Sequence, residues 1–134
     1  MDEFMQAAVQ EAKLGFEENG LPIGSVLVLD GKIVGRGRNQ RNQKGSVILH
    51  AEMDAIENAG ILLPEEYKRS VLYTTLSPCQ MCSGTIVYLQ ISKVVIADNT
   101  TILGAENFLK SHGVILEYQE NEECTELLRK FPLS

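Results

Sequence analysis

Four side chains in this chain stand at spacings that suit metal chemistry. His50 and Glu52 lie two positions apart in LHAEMDAIENAG, and Cys79 and Cys82 lie three apart in LYTTLSPCQMCSG, directly behind Pro78. A CxxC pair alone fits a redox couple, half of a metal site, or two buried small residues. Joined by His50, the two thiolates become a zinc donor set, and three protein ligands leave a fourth position open for water. A closed structural site needs a fourth protein ligand. Cys124 and His112 are the remaining candidates, and neither stands in a motif. A zinc-stabilised structural domain is the non-enzymatic alternative, but it leaves Glu52 without a task. Zinc activates water near neutral pH. A carboxylate that is not itself a ligand can take that water's proton and hand it to a leaving group. Glu52 is the candidate for this shuttle.

These residues converge only if the elements around them are arranged for it. Residues i and i+2 do not share a helix face, so His50 and Glu52 meet one point only where a helix aims its first turn at it. The same holds for the two cysteines. Helix N-termini also favour thiolate and hydroxide charge. The pattern predicts helix over 2–18, with Phe4, Met5, Ala8, Ala12 and Phe16 at helical spacing, ended by Asn19-Gly20. Two β-branched runs flank Asp30-Gly31, a hairpin signal. Residues 37–48 are polar and read as a loop. A helix is expected from His50 or Ala51 to Ala59, a strand over Val71–Thr75, and a helix from Pro78 to about Leu89. A buried strand follows at Lys93–Ala97, then a short helix near Ala105–Ser111, a strand at Val114–Tyr118, and a last helix over 121–131, broken by Pro132. Alternation of later strands with helices predicts a mostly parallel sheet covered on both faces, with the hairpin as an antiparallel edge pair.

Length and composition narrow the class. The 134 residues suit one compact domain with a real core, and the apolar fraction of 44% is ordinary. The net charge of −6 makes nucleic acid an unexpected partner. The N-terminal MDEFMQAAVQEAK carries acids where a signal peptide carries bases. No apolar run reaches the ~20 residues of a membrane span. The expectation is a soluble, cytoplasmic protein without a membrane partner, its three cysteines reduced.

HAE at 50–52 with PCQMC at 78–82 resembles the cytidine deaminase-like superfamily, whose zinc nucleobase deaminases carry H-x-E followed by P-C-x-x-C. PIGSVLV, GRGRNQR, KGS, LHAE and LYTTLSPCQMCSG resemble fungal-type cytosine deaminases in particular, over about Ala8 to Tyr118. The resemblance implies a three-layer α/β/α sandwich with a central mixed five-stranded sheet, a homodimer, and one Zn2+ per subunit held by His50, Cys79 and Cys82. It implies Glu52 as proton shuttle, Asn39 on the polar edge of the base, and the Ser77 carbonyl as acceptor from the leaving amine. The Ala51 N–H would hold the ring carbonyl, and Ile23 would pack on the ring. The implied reaction converts free cytosine and water to uracil and ammonia, a pyrimidine-salvage step on a small heterocyclic base. Isocytosine, creatinine and guanine are alternative substrates, and adenosine in tRNA a further one. The chain departs from the fungal pattern in two places. It has HAE, shared with tRNA adenosine and guanine deaminases, where fungal enzymes have HGE. It also lacks the C-terminal Trp and Asp that close over the base, for which Asp98, Glu122 and Glu123 are the candidate acidic replacements.

Overall fold

A computed structural model of the protein describes residues 2–131, so Pro132, expected to break the last helix, lies outside the described residues. The first helix, α1 (Glu3–Glu17), starts where the Asp2 carboxylate accepts from the Phe4 and Met5 N–H groups. It buries Met5, Ala8, Val9 and Ala12 along one stripe. Strands β1 (Gly24–Leu29) and β2 (Lys32–Arg38) follow. Their turn places Asp30 and Gly31 at φ 51° and 77°, the doubly left-handed geometry that an Asp-Gly hairpin supplies.

Then come α2 (Arg41–Lys44), α3 (Ala51–Ala59), α4 (Pro64–Lys68), β3 (Ser70–Leu76), α5 (Gln80–Leu89), β4 (Lys93–Asp98), α6 (Glu106–Ser111), β5 (Ile115–Tyr118) and α7 (Glu122–Lys130). The sheet order is β2-β1-β3-β4-β5. Strands β3, β4 and β5 are parallel, whereas β1 runs antiparallel to both β2 and β3. The sheet is therefore mixed, with half of its four pairings antiparallel, not mostly parallel as alternation suggests. The difference lies in β1, an inner strand whose pairing with β3 spans the α3 and α4 segment. Helices α2 and α4 also escape the sequence pattern. Neither buries a residue, so neither has an apolar stripe to read.

Side chains alternate across the sheet. Val26, Val28, Tyr73, Val95 and Ala97 meet Met5, Ala8 and Val9 of α1 and Cys124 of α7 on one face. Leu27, Leu72, Val94 and Ile96 meet Ile86 of α5 and Leu109 of α6 on the other. Each fully buried large aliphatic side chain stabilises the sandwich by roughly 1.5–3 kcal/mol. Among the described residues no helix is long and apolar enough to cross a membrane.

Two glycines in GRGR bring α3 down onto β2. A Cβ at Gly35 would stand 2.2 Å from the Ala55 carbonyl oxygen, and one at Gly37 2.2 Å from the Ala55 nitrogen. Asp54 adds a tie, its Oδ2 accepting from the Arg38 N–H at 3.0 Å. This close seating fixes where the first turn of α3 points.

Candidate metal centre and cavity

The donor atoms gather where two helices begin. β3 ends at Leu76, the Ser77 N–H continues its ladder to the Asp98 carbonyl at 2.8 Å, and Cys79 becomes the N-cap of α5. The site thus sits beyond the carboxyl ends of parallel strands, the usual place for a ligand in an open α/β sheet. Pro78 precedes the cap and is not in the first helical turn expected for it. Its carbonyl accepts from the Ala105 N–H at 2.9 Å. His50 is the N-cap of α3, with extended backbone and its carbonyl bonded to the Asp54 N–H.

The His50 Nδ1 lies 3.5 Å from Cys79 Sγ and 3.6 Å from Cys82 Sγ, and the two sulfurs are 3.7 Å apart. A tetrahedral zinc with Zn–S near 2.3 Å and Zn–N near 2.0–2.1 Å requires S···S of about 3.8 Å and S···N of about 3.5 Å. The three separations match, so the donor set fits zinc in both chemistry and spacing. Among the described residues neither Cys124 nor His112 joins this group. Cys124 is buried under the opposite face of the sheet, and His112 lies against Phe108 at the end of α6.

Electrostatics follow the same grouping. A hydrogen bond from Cys82, then one with His50, holds the Cys79 thiol down to about 3. The bond to Cys79, then burial, drives the Cys82 thiol far upward. The two sulfurs lie close enough to share a proton, and a divalent cation bound between them would take that proton's place. The hydrogen bond to Cys79 raises the His50 imidazole. Glu52 is 4% exposed, and burial pushes its carboxyl up to about 7.

A cavity of about 650 Å³ opens over the group. Ile23, Asn39, His50, Ala51, Glu52, Ser77 and Cys79 all line it, while Cys82 is not among its lining residues. Asn39 is buried, and its Oδ1 accepts from the Arg41 N–H at 2.9 Å. What Asn39 has left to offer is its Nδ2 donor. Ala51 is the first residue of α3, where backbone N–H groups have no partner inside the helix. The cavity can therefore present donors to a ring carbonyl beside a carboxyl suited to proton transfer.

The acidic replacements considered from sequence do not reach this cavity. Asp98 accepts from the Thr100 and Thr101 N–H groups and from the Thr101 and Thr125 hydroxyls. Glu123 pairs with Lys13 at 2.8 Å, and Glu122 belongs to a separate surface depression. Among the described residues Glu52 is the one acid lining the cavity. Sequence reasoning missed Arg41, Val47, Ile102, Leu103 and Gly104 in the wall. Arg41 belongs to the short helix α2. The only trace of Val47, Ile102 and Leu103 is an apolar side chain in an otherwise polar loop, and Gly104 leaves none.

The chain is 44% identical over 128 residues to a cytosine deaminase of Candida albicans, covering 95% of this chain and 85% of that protein. It is 34% identical over 137 residues to a tRNA-specific adenosine deaminase of Aquifex aeolicus, covering 96% and 91%. A solved structure from work on A-to-I editing by tRNA:A34 deaminases superposes with a TM-score of 0.75 at 28% identity, over 93% of this chain and 98% of the other. A guanine deaminase from Nitrosomonas europaea shares the fold, with a TM-score of 0.75 at 19% identity over 95% and 81%. Residues 1–98 match the zinc-binding region of the cytidine and deoxycytidylate deaminases, and the chain belongs to that family.

Proposed function

We propose that the protein is a zinc-dependent hydrolase that deaminates free cytosine to uracil and ammonia. The observation that carries the reaction type is Glu52, buried at the cavity wall beside three metal donors and held near neutrality. A zinc ion held by His50, Cys79 and Cys82 would supply Lewis-acid activation of water. The protein's own residues do the rest. Glu52 takes one proton from the attacking water at its carboxylate and passes it to the ring nitrogen, then takes the second from the new C–OH and passes it to the amine, which departs as ammonia. Asn39 Nδ2 and the Ala51 N–H donate to the ring carbonyl and fix the base in its plane. Ile23 packs on the ring, and the Ser77 carbonyl accepts from the leaving amine.

Two features favour cytosine as substrate. Over nearly the whole chain the identity to a fungal cytosine deaminase is 44%, against 34% to the Aquifex aeolicus tRNA-specific adenosine deaminase. The net charge of −6 opposes docking on a phosphate backbone. A second reading, adenosine deamination in tRNA, is favoured by the relatives of that name. An ammonia-release screen over cytosine, isocytosine, creatinine, guanine, cytidine, adenosine and a tRNA substrate tests both. Cytosine should turn over fastest, and turnover confined to a nucleoside or tRNA would overturn the free-base reading. The proposal includes a homodimer. Ile61 and Tyr88 are large apolar side chains left almost fully exposed, which a second copy would cover.

A further inference from the structure

Glu106, the first residue of α6, is a buried carboxylate that the chemistry above does not use. It gathers donors from three separate segments. The Ser77 hydroxyl donates to its Oε2 at 2.6 Å, the Tyr118 hydroxyl donates to its Oε1, and Asn99 Nδ2 approaches Oε1 at 3.5 Å. A backbone N–H can only donate, so Ser77 Oγ accepts from Gly104 at 2.9 Å and its own O–H is left to point at Glu106. A directional relay results, running from Gly104 N–H to Ser77 hydroxyl to Glu106. It ties the 99–105 loop, which carries Ile102 and Leu103 on the cavity wall, to the Ser77–Pro78 peptide just ahead of Cys79. The Ala105 N–H to Pro78 carbonyl bond is a second tie between the same two segments.

We propose that Glu106 is a positioning residue: acting through Ser77, it sets the cavity wall and the peptide that faces the leaving group. The kinetic part of this inference rests on the proposed deaminase reaction; the relay itself does not. Ser77→Ala, Glu106→Ala, Glu106→Gln and the Ser77→Ala/Glu106→Ala double variant test it in the zinc-loaded protein. Ser77→Ala and Glu106→Ala should each lower kcat/KM for cytosine by about tenfold or more, as for a lost charge-assisted hydrogen bond, with the loss mainly in kcat and zinc content unchanged. The double variant should fall no further than the worse single one, because both break one relay. Glu106→Gln keeps an acceptor for Ser77 and should stay within about threefold of the parent.

Amide exchange at Gly104, followed by NMR, is the readout that needs no turnover. It should quicken by about tenfold or more in Ser77→Ala and stay at the parental rate in Glu106→Gln. If Glu106→Ala does not fold, Ser77→Ala and Glu106→Gln carry the test. Effects that multiply in the double variant, kcat/KM of Ser77→Ala within twofold of the parent, or unchanged Gly104 exchange in Ser77→Ala would each overturn the proposal. A parent protein that turns over no base would remove the proposed function, and Gly104 exchange would then decide the relay alone.

Discussion

Replacing Gly104 by alanine should damage the site more than any other single-methyl change in its wall. A Cβ added at Gly104 would stand 2.0 Å from the Pro78 carbonyl oxygen and 2.6 Å from its carbon, where real Cβ contacts stop near 3.0 Å. The obstacle is backbone, so no rotamer change relieves it, and the two segments must part by about 1 Å. A displacement of that size at a reacting centre costs on the order of 10²-fold in rate, or about 2.7 kcal/mol of transition-state stabilisation. The displaced segment contains Ser77 and leads into Cys79, so both substrate alignment and metal grip should suffer. Steady-state kinetics on cytosine, zinc content by elemental analysis and a thermal melt measure these effects. Gly84→Ala is the matched control. It lies inside α5 with nothing within 4 Å of the added Cβ. It should keep kcat/KM and gain about 0.5–1 kcal/mol of stability from better helix propensity. If Gly104→Ala keeps kcat/KM within threefold of the parent, the close packing of this loop does not position the site.

Other outcomes follow from the same geometry. Glu52→Gln should retain stoichiometric zinc and lose about 10²–10⁴-fold in kcat, because the amide cannot carry the proton; substantial remaining turnover refutes the shuttle role. Cys82→Ala should lose zinc together with activity, and an elemental analysis that still finds one zinc per chain refutes the donor assignment. Burial raises the Cys124 thiol to about 11. Its alkylation in the folded protein should therefore be slow at pH 8 and climb roughly tenfold per pH unit towards 11, because only the thiolate reacts. Fast, pH-independent labelling of Cys124 by iodoacetamide, located by mass spectrometry, contradicts the buried placement. Sedimentation should give the mass of a dimer at micromolar concentration, and a monomer there removes the homodimer from the proposal.

The sequence by itself carried the donor types and their local context. HAE and PCQMC were legible because each motif sits within one turn of a helix start, where position along the chain dictates direction in space. The hairpin was legible for the same local reason, since Asp30-Gly31 supplies the two left-handed residues it needs. What remained hidden depends on contacts between distant segments. The antiparallel pairing of β1 with β3 joins residues more than forty positions apart, and no local period encodes it. Helices α2 and α4 bury nothing and so leave no apolar stripe. Asp98 was a plausible cavity acid in the sequence until folding committed its oxygens to Thr100, Thr101 and Thr125. Glu106 was one more acid on a short helix. Only the tertiary structure buries it under Ser77 and Tyr118, because a carboxylate's role is set by which donors the fold brings to it.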